Sequence, residues 1–397
     1  MEYVRLGHYC TITSSKRIFA HQYVDSGIPF YRSKEIIEKT NDRAISEPLY
    51  ISNDVFNLIR EKFGVPHAGD ILLTSVGTLG IPYIVKEETF YFKDGNLTWL
   101  KDFSADLLPK YLYYWLSSSF GKQSLIQLAI GSSQPALTIE ILKKYKIALP
   151  DLPIQRRIAS ILSAYDNLIE NNNRRIRLLE QMAENLYKEW FVRFRFPGHE
   201  KVEMENGLPK GWKYEDLFSV ATVSYGYAFK SELFCDNSSL NAVVRIRDIQ
   251  DNHTDTYTSE SCDEKYLIKK NAVLIGMDGI FHMCLWNGDK AYLNQRVVML
   301  NSKYEHICNY YLFMAIHAQV KFWEQVIAGT TVAHLGDKHL RKMKVLIPNE
   351  NILERANSFL ESIMNERNKL FKQNQLLTRQ RDLLLPRLMS GKLEVNA

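Results

Sequence analysis

Cysteine is scarce in this sequence, and its spacing rules out two classes of small, cross-linked fold. The 397 residues include five cysteines, and no two of them form a Cys-x-x-Cys pair. Disulfide scaffolds and zinc fingers need regularly spaced pairs, so both are excluded. Isolated cysteines are typical of a reducing cytoplasm, which is where we expect this protein.

The sequence also lacks a segment suited to a membrane. It begins Met-Glu-Tyr-Val-Arg, without the basic-then-apolar order of an export signal, so we expect no export or processing. The longest uncharged stretch, residues 123–139, contains three glutamines, three serines, a glycine and a proline, which hydrocarbon would not accept. These features predict a soluble protein.

Motifs of catalysis are missing as well. The 12 prolines include no Pro-Pro pair, which excludes the Asn/Asp-Pro-Pro-aromatic loop of amino-methyltransferases, and no G-x-x-x-x-G-K-[ST] loop is present. The single Pro-Asp pair, Pro150-Asp151, is not followed by the Asp/Glu-x-Lys of a nuclease core. His334 and His339 could be metal ligands, but an ordinary structural role is the better interpretation. We predict that this chain is not an enzyme and holds no metal or cofactor itself.

Charge of one sign is not in large excess. Fifty Lys and Arg against 45 Asp and Glu give a net charge of +5, and residues 197–348 are net acidic, with 17 basic and 18 acidic side chains. Such a chain does not coat nucleic acid or membranes indiscriminately. An anionic partner would have to be bound by local basic patches.

What the sequence does contain is a repeat at about half its length. Residues 131–150, which run from Gly-Ser-Ser through a basic cluster to a proline, match residues 329–348 at an offset of 198. Upstream, the apolar run and glycine of residues 71–77 match residues 273–279 at an offset of 202. Solenoid repeats are much shorter than this, so the pattern indicates a duplicated domain.

Each copy begins with about 150 residues of mixed α and β character. Short Val, Ile, Leu and Tyr runs broken by turn residues predict strands at 70–74, 81–85 and 243–246. Longer runs predict helices at 110–118 and 308–320.

Two long helices are predicted to follow the two mixed domains. Glycine is absent from residues 151–196 and 349–390, and helix-forming residues dominate there. In the first helix the apolar positions advance by four and three alternately, which is the pattern of a coiled coil, and one polar residue among them is typical of a register-fixing side chain. The second helix repeats apolar residues every seven positions with mostly polar residues between. The predicted seam consists of Ile158, Leu162, Ile169, Asn172, Ile176, Leu179 and Leu186, with Ile363, Leu370, Leu377 and Leu384.

The order of the segments predicts how the helices pair. Each helix of about 35 residues is roughly 50 Å long, and antiparallel packing buries both seams. The predicted fold class is therefore α+β, with two similar α/β domains separated by two long helices that form an antiparallel coiled coil with pseudo-twofold symmetry. The predicted segments are residues 1–150, 151–196, 197–348 and 349–397. On this pattern alone, a dimerisation or scaffolding coiled coil remains an alternative.

Several stretches resemble the specificity (S) subunit of type I restriction-modification systems. Residues 178–192, Phe-Pro at 196–197 and Leu-Pro-Lys-Gly-Trp at 208–212 are similar to the family's central conserved region. Residues 384–393, Leu-Leu-Pro-Arg-Leu-Met-Ser-Gly-Lys-Leu, resemble its C-terminal conserved region. Residues 150–166 also match, and the second copy differs there: Leu353, Ala356, Leu360 and Met364 replace Gln155, Ile158, Leu162 and Asp166.

The resemblance implies that residues 1–150 and 197–348 are target recognition domains, each reading one half of a bipartite double-stranded DNA site. The helices would set the distance between the half-sites and dock two methyltransferase (M) subunits, and restriction/motor (R) subunits would complete the complex. S-adenosylmethionine, ATP and Mg would be bound by those partner subunits, which would supply the methyltransferase and ATP-dependent endonuclease activities. Half-sites one turn apart are separated by roughly 34 to 36 Å, which such helices can span.

Candidate DNA-binding residues come from the repeat and from base-pair chemistry. The basic clusters before the two matched prolines would position phosphates, although a solvated face explains them equally well. The small hydroxyl residues of the preceding loops suit a phosphate or a groove edge, or are plain turns. Arginine suits guanine, whereas asparagine or glutamine suits adenine. The candidates are Arg32, Gly131, Ser132, Ser133, Gln134, Lys143, Lys144, Arg245, Gln295, Arg296, Gly329, Thr330, Thr331, Arg341 and Lys342.

Other classes of protein stay open at this point. The chain could be a stand-alone architectural DNA-binding protein, a detached recognition module of a fused modification-restriction enzyme, or a coiled-coil scaffold. The missing catalytic motifs count against an enzyme, and the duplicated domains count against a scaffold. Because the two copies share a framework but not their polar residues, we predict that they read different half-sites.

Overall fold

The chain forms two compact units, each containing one copy of the repeat. A computed structural model describes residues 2–43, 45–131, 135–327 and 333–393. Unit 1 comprises Met1–Glu170 with Asn374–Ala397, and unit 2 comprises Asn171–Gln373. Each long helix contributes a segment to both units.

Unit 1 consists of short strands, short helices and part of the first long helix. Its elements are β1 (Glu2–Arg5), β2 (Thr11–Thr13), β3 (Tyr23–Val24), β4 (Ile28–Tyr31), α1 (Ser33–Thr40), β5 (Leu49–Ile51), α2 (Asn53–Phe63), β6 (Ile71–Thr74), β7 (Pro82–Ile84), β8 (Tyr91–Phe92), β9 (Leu97–Lys101), α3 (Pro109–Ser117), α4 (Ser119–Leu128), α5 (Ile139–Lys144), β10 (Lys146–Leu149) and the long α6 (Leu152–Tyr187).

Unit 2 repeats this arrangement after a π-helical turn, Lys188–Val192, that extends α6. Its elements are β11 (Met204–Glu205), β12 (Leu208–Pro209), β13 (Lys213–Asp216), α7 (Leu217–Val220), β14 (Ala221–Tyr225), β15 (Phe234–Cys235), β16 (Asn241–Val244), β17 (Tyr257–Thr258), β18 (Val273–Gly276), β19 (Met283–Leu285), β20 (Tyr292–Leu293), β21 (Val297–Ser302), α8 (Asn309–Ile327), α9 (Asp337–Leu340), β22 (Lys344–Ile347) and the long α10 (Glu350–Met389).

Three sheets have the same topology in both units, and unit 2 also has the two-stranded β11-β12 sheet. The central antiparallel sheet has the order β2-β9-β6-β7 in unit 1 and β14-β21-β18-β19 in unit 2. A second sheet has the order β3-β5-β4-β8 or β15-β17-β16-β20, and its last pair is parallel in both cases. A third pairs β1 with β10, or β13 with β22. The predicted fold class, two similar mixed domains with two long helices, is confirmed.

The central strands explain why the apolar runs were so uniform. Ile71 and Leu73 of β6 pack into one core cluster, and Leu72 packs into another on the opposite face of the sheet. Val273 and Leu274 of β18 are divided between two clusters in the same way. Because side chains alternate across a strand, a strand buried on both faces reads as a continuous apolar run.

The predicted elements lie close to the observed ones, with two corrections. The helix predicted at 308–320 continues to Ile327, because no glycine or proline interrupts residues 321–327. The strand predicted at 243–246 is observed at Asn241–Val244. It ends early because the backbone N–H of Arg245 donates to the Asp248 carboxylate at 2.8 Å and begins a 3-10 turn.

Within each unit, the segments of α6 and α10 pair antiparallel. In unit 1, Arg381 Nη1 lies 2.8 Å from Asp166 Oδ1, and earlier residues of α6 share a core cluster with later residues of α10. In unit 2, Arg175 pairs with Glu366 at 2.9 Å, whereas the earlier Asn172 contacts the later Gln373.

The predicted seam residues differ in burial. Ile158, Leu162, Asn172, Ile176 and Leu370 are buried, whereas Ile169, Leu179, Leu186, Ile363, Leu377 and Leu384 are half-buried. In the first turns of α10, Leu353, Leu360 and Met364 are buried instead, because this part of the helix packs a broad face against the core of unit 2.

The described ranges contain no helix with enough length and apolar character to traverse a bilayer.

Candidate nucleic-acid interface

One end of the central sheet in unit 2 brings three chain segments together. The N–H of Met277, directly after β18, donates to the carbonyl of Arg296, directly before β21, at 3.0 Å. The N–H of Leu335 donates to the carbonyl of Met277 at 2.8 Å, and Asp278 pairs with His334 as an isolated bridge. We call residues 277–279, 294–296 and 333–335 the loop edge of unit 2.

Unit 1 forms the same arrangement with other side chains. The N–H of Ser75 donates to the carbonyl of Asn96 at 2.8 Å, and the N–H of Leu137 donates to the carbonyl of Ser75 at 2.9 Å. Val76 and Ala136 form the equivalent isolated bridge. Residues 75–77, 94–96 and 135–137 are the loop edge of unit 1.

Arg32 lies beside the loop edge of unit 1, but its guanidinium is held within the unit. Its backbone N–H donates to Glu35 at 2.7 Å, and its Nη2 donates to the same carboxylate at 2.5 Å. Burial acts to raise the pKa of the Glu35 carboxyl, but the hydrogen bonds from Arg32 outweigh it and the pKa is lowered. The hydroxyl of Ser33 donates to the carbonyl of Asn96 at 3.3 Å, which places the start of α1 against this edge.

Arg245 has the equivalent position in unit 2 and is also held internally. Its Nη2 donates to the Thr256 hydroxyl at 2.6 Å, and its guanidinium carbon lies 5.3 Å from the centre of the Phe234 ring. The next residue, Ile246, packs beside Gly276, where a Cβ would lie 3.0 Å from Ile246 Cγ2. Arg32 and Arg245, two of the three arginines predicted to read bases, therefore anchor the turns in which they lie.

Gln295 and Arg296 are exposed on the loop edge of unit 2. The backbone N–H of Gln295 donates to the carbonyl of Tyr227 at 2.9 Å, which fixes the loop. Arg296 Nε lies 3.4 Å from Asp278 Oδ2. Among the candidate base-reading arginines in the described residues, Arg296 has the most exposed side chain.

The two predicted basic clusters lie elsewhere in each unit, at the ends of α5 and α9. Lys143 pairs with Glu140 at 2.9 Å, and the neighbouring Lys144 is exposed. Arg341 forms an ion pair with Asp337 and lies 4.4 Å from the centre of the Phe218 ring, and Lys342 lies over the Trp323 ring at 5.6 Å. These clusters border the two-stranded sheets β1-β10 and β13-β22.

The hydroxyl-bearing loops fall mainly outside what the structure describes. Gly131 is exposed and adopts a φ of 104°, a conformation that favours glycine. The remaining predicted loop residues, Ser132, Ser133, Gln134, Gly329, Thr330 and Thr331, lie outside the described residues.

Sequence reasoning missed Asn96, Asp278 and the role of His334. Asn96 follows Asp-Gly, which indicates a turn and gives no sign that the residue matches Arg296. His334 Nδ1 lies 2.6 Å from Asp278 Oδ1, whereas His339 Nδ1 accepts a hydrogen bond from the Gly336 N–H at 3.0 Å. Among the described residues, no three His, Cys, Asp or Glu side chains are grouped so as to hold a metal ion.

Comparison with known families places this chain. The family model described as "Type I restriction modification DNA specificity domain" matches residues 1–181 and 209–378, one match for each copy of the repeat. The chain belongs to this family, and the resemblance found in the sequence is confirmed. Membership of this family does not support the alternative that the chain is a coiled-coil scaffold.

Relatives and solved structures agree with that family. The type I restriction enzyme MjaIX specificity subunit of Methanocaldococcus jannaschii is 26% identical over 94% of this chain and 88% of its own length. The EcoBI specificity subunit of Escherichia coli is 27% identical over 50% of this chain and 44% of its own length. The crystal structure of a type I S subunit from M. genitalium, 16% identical, covers 100% of this chain and 96% of its own with a TM-score of 0.59, and shows the same fold.

Proposed function

We propose that this chain is the DNA-specificity subunit of a type I restriction-modification complex, and that each unit reads one half of a bipartite double-stranded site. The observation that carries the proposal is the pair of loop edges. They have the same backbone hydrogen bonds in both units, but Ser75, Val76 and Asn96 in unit 1 correspond to Met277, Asp278 and Arg296 in unit 2. A shared frame with different side chains suits the reading of two different half-sites.

The long helices then set the distance between the half-sites and dock two methyltransferase subunits. The recognition domains are residues 1–150 and 197–348, with the helical segments 151–196 and 349–397 between and after them. The paired helices offer an exposed, charged surface alongside their seam, including Arg175 and Glu366, which suits protein partners.

Catalysis belongs to the partner subunits in this proposal. The methyltransferase subunits bind S-adenosylmethionine and methylate adenine, and restriction/motor subunits use ATP and Mg to cleave DNA. This chain contributes the choice of sequence and has no catalytic residue of its own. The complex operates in the cytoplasm, where its DNA is found.

The basic clusters position phosphates in this proposal, and Lys144 is the side chain best placed to do so in unit 1. It is exposed, whereas Lys143 is already paired with Glu140. Such contacts strengthen binding without selecting a sequence, and they weaken as salt rises.

Sequencing of modified bases in the host genome tests the proposal directly. The wild-type strain should carry methylated adenine in both halves of one bipartite motif, and deletion of this gene should remove that motif alone. Restoring the gene should restore it. Persistence of every motif after deletion would contradict the proposed function.

A further inference from the structure

We propose that Arg296 and Asn96 are equivalent specificity-determining residues, Arg296 selecting a guanine in the half-site of unit 2 and Asn96 an adenine in that of unit 1. This inference rests on the proposed function and adds to it the residues that make the two half-sites different. It also assigns Asp278 and His334 as positioning residues for Arg296.

Equivalence of the two positions comes from the backbone. Asn96 and Arg296 each precede the central strand that pairs with β6 or β18. Each accepts a hydrogen bond on its carbonyl from the first residue after that neighbouring strand, Ser75 or Met277. The two side chains therefore start from the same place in the same frame, and only their chemistry differs.

Arg296 has the geometry of a base-reading arginine. Its side chain is 57% exposed, and only Nε faces a described acidic group, Asp278 Oδ2 at 3.4 Å. The two Nη groups make no hydrogen bond to the described part of the chain. Paired Nη donors match the O6 and N7 acceptors that guanine presents in the major groove. An arginine held at Nε loses less side-chain entropy when its outer nitrogens bind.

Asp278 is itself held on its other oxygen. Its Oδ1 lies 2.6 Å from His334 Nδ1, so the carboxylate links the imidazole to the guanidinium. The Asp278 side chain is 24% exposed, less than either partner. Both residues thus orient Arg296 without needing to touch a base themselves.

Asn96 offers the matching adenine chemistry. Its carbonyl is occupied by Ser75 and by the hydroxyl of Ser33, but its half-buried side-chain amide makes no hydrogen bond to the residues that the structure describes. An amide supplies one acceptor and two donors, which pair with N6 and N7 of adenine. Two arginines at or beside this edge are already paired, Arg32 with Glu35 and Arg17 with Asp94.

Base-resolved methylation is the test. The full chain is expressed with the methyltransferase subunits encoded in its own genome, and the methylated motif is determined for wild type, Arg296→Ala, Arg296→Lys, Asp278→Asn and Asn96→Ala. Lys210→Ala is the matched control, because it removes an exposed basic side chain of unit 2 that pairs with Glu203 beside the separate β11-β12 sheet. The thermal unfolding of each variant is measured in parallel.

Arg296→Ala should relax selection of one guanine in one half-site. The preference for guanine over the other bases at that position should fall about 10-fold to 100-fold, and the other half-site should be unchanged. Asn96→Ala should relax the selection of one adenine in the other half-site only. Asp278→Asn should weaken selection of the same guanine as Arg296→Ala, and Lys210→Ala should leave the motif intact. Arg296→Lys keeps the positive charge but loses the paired Nη donors, so it should also relax selection of the guanine. This variant keeps the inference testable if Arg296→Ala fails to fold.

Three results would overturn the inference. The first is an unchanged methylated motif in folded Arg296 variants. The second is an effect of the Arg296 and Asn96 variants on the same half-site. The third is a wild-type motif that does not combine a guanine in one half-site with an adenine in the other. Failure of the proposed function would look different, because the wild-type chain would then direct no bipartite methylation.

Discussion

The Nδ2 group of Asn172 in α6 donates a hydrogen bond to Oε1 of Gln373 in α10, 3.2 Å away, within unit 2. Asn172 is only 3% exposed, so a polar group is buried in an otherwise apolar seam. A polar pair at such a position costs stability and selects one register of the two helices, because any slip would leave the amide without its partner.

Replacing Asn172 by leucine should therefore stabilise unit 2. Apolar burial replaces a desolvated amide, and Gln373 is exposed enough to be hydrated by solvent, so the free energy of unfolding should rise by about 1 kcal/mol. Asn171→Leu is the control, since Asn171 is exposed and its replacement should change little. Thermal unfolding measures both, and a lower midpoint for Asn172→Leu would show that the hydrogen bond stabilises the unit more than an apolar contact would.

Alkaline pH should destabilise unit 1 through Tyr114. Burial, followed by the 2.6 Å hydrogen bond to Asp166 and the charge of that carboxylate, raises the pKa of the Tyr114 hydroxyl. The unfolded tyrosine ionises near pH 10 while the folded one stays neutral, so the stability that the neutral form provides is lost as pH rises above about 10.

Tyr114→Phe should flatten this alkaline decline. The comparison is the unfolding midpoint at pH 8 and pH 10.5, for wild type, Tyr114→Phe and Tyr3→Phe, the last being an exposed tyrosine of the same unit. An identical alkaline decline in wild type and Tyr114→Phe would contradict the assignment.

Gly226→Ala should displace the loop that carries Arg296. A Cβ on Gly226 would lie 2.0 Å from the carbonyl oxygen of Asn294, so the backbone itself must move. We expect a loss of about 1–3 kcal/mol and a weaker guanine preference. Gly336→Ala is the matched control, because its Cβ would lie 3.5 Å from His334 Cδ2 in ordinary contact. Equal stability and equal specificity in the two variants would show that this loop tolerates displacement.

Lengthening both long helices by seven residues should widen the gap between the half-sites. One heptad keeps the seam in register and adds about 10 Å of helix, which corresponds to roughly three base pairs. The modified motif should keep both half-sites and gain spacer bases. An unaltered spacer would mean that the helices do not set the distance.

The sequence predicted the features that depend on local pattern. The offset repeat, the glycine-free helices and the continuous apolar runs of β6 and β18 all reflect short-range periodicity, and the predicted 110–118 helix differs from α3 by one residue at each end. Arg32 and Arg245, which the sequence offered as candidate DNA-binding residues, each begin a turn in which the arginine N–H donates to the acidic residue three positions later.

Features that depend on tertiary pairing were not predictable in the same way. β1 and β13 are four-residue strands with polar residues, and they exist because β10 and β22 pair with them. The match of Asn96 to Arg296 needs the hydrogen bonds from Ser75 and Met277, which no spacing reveals. The burial of Leu360 and Met364 in α10 comes from a domain surface that a heptad pattern does not describe.

Exchange of one recognition domain tests the central claim most directly. Residues 1–150 are replaced by the corresponding domain of a relative with a different target, and the methylated motif is read by genome sequencing. Two independent readers predict that one half-site changes to that of the relative while the other half and the spacer stay the same. A change in both half-sites, or in neither, would contradict the account.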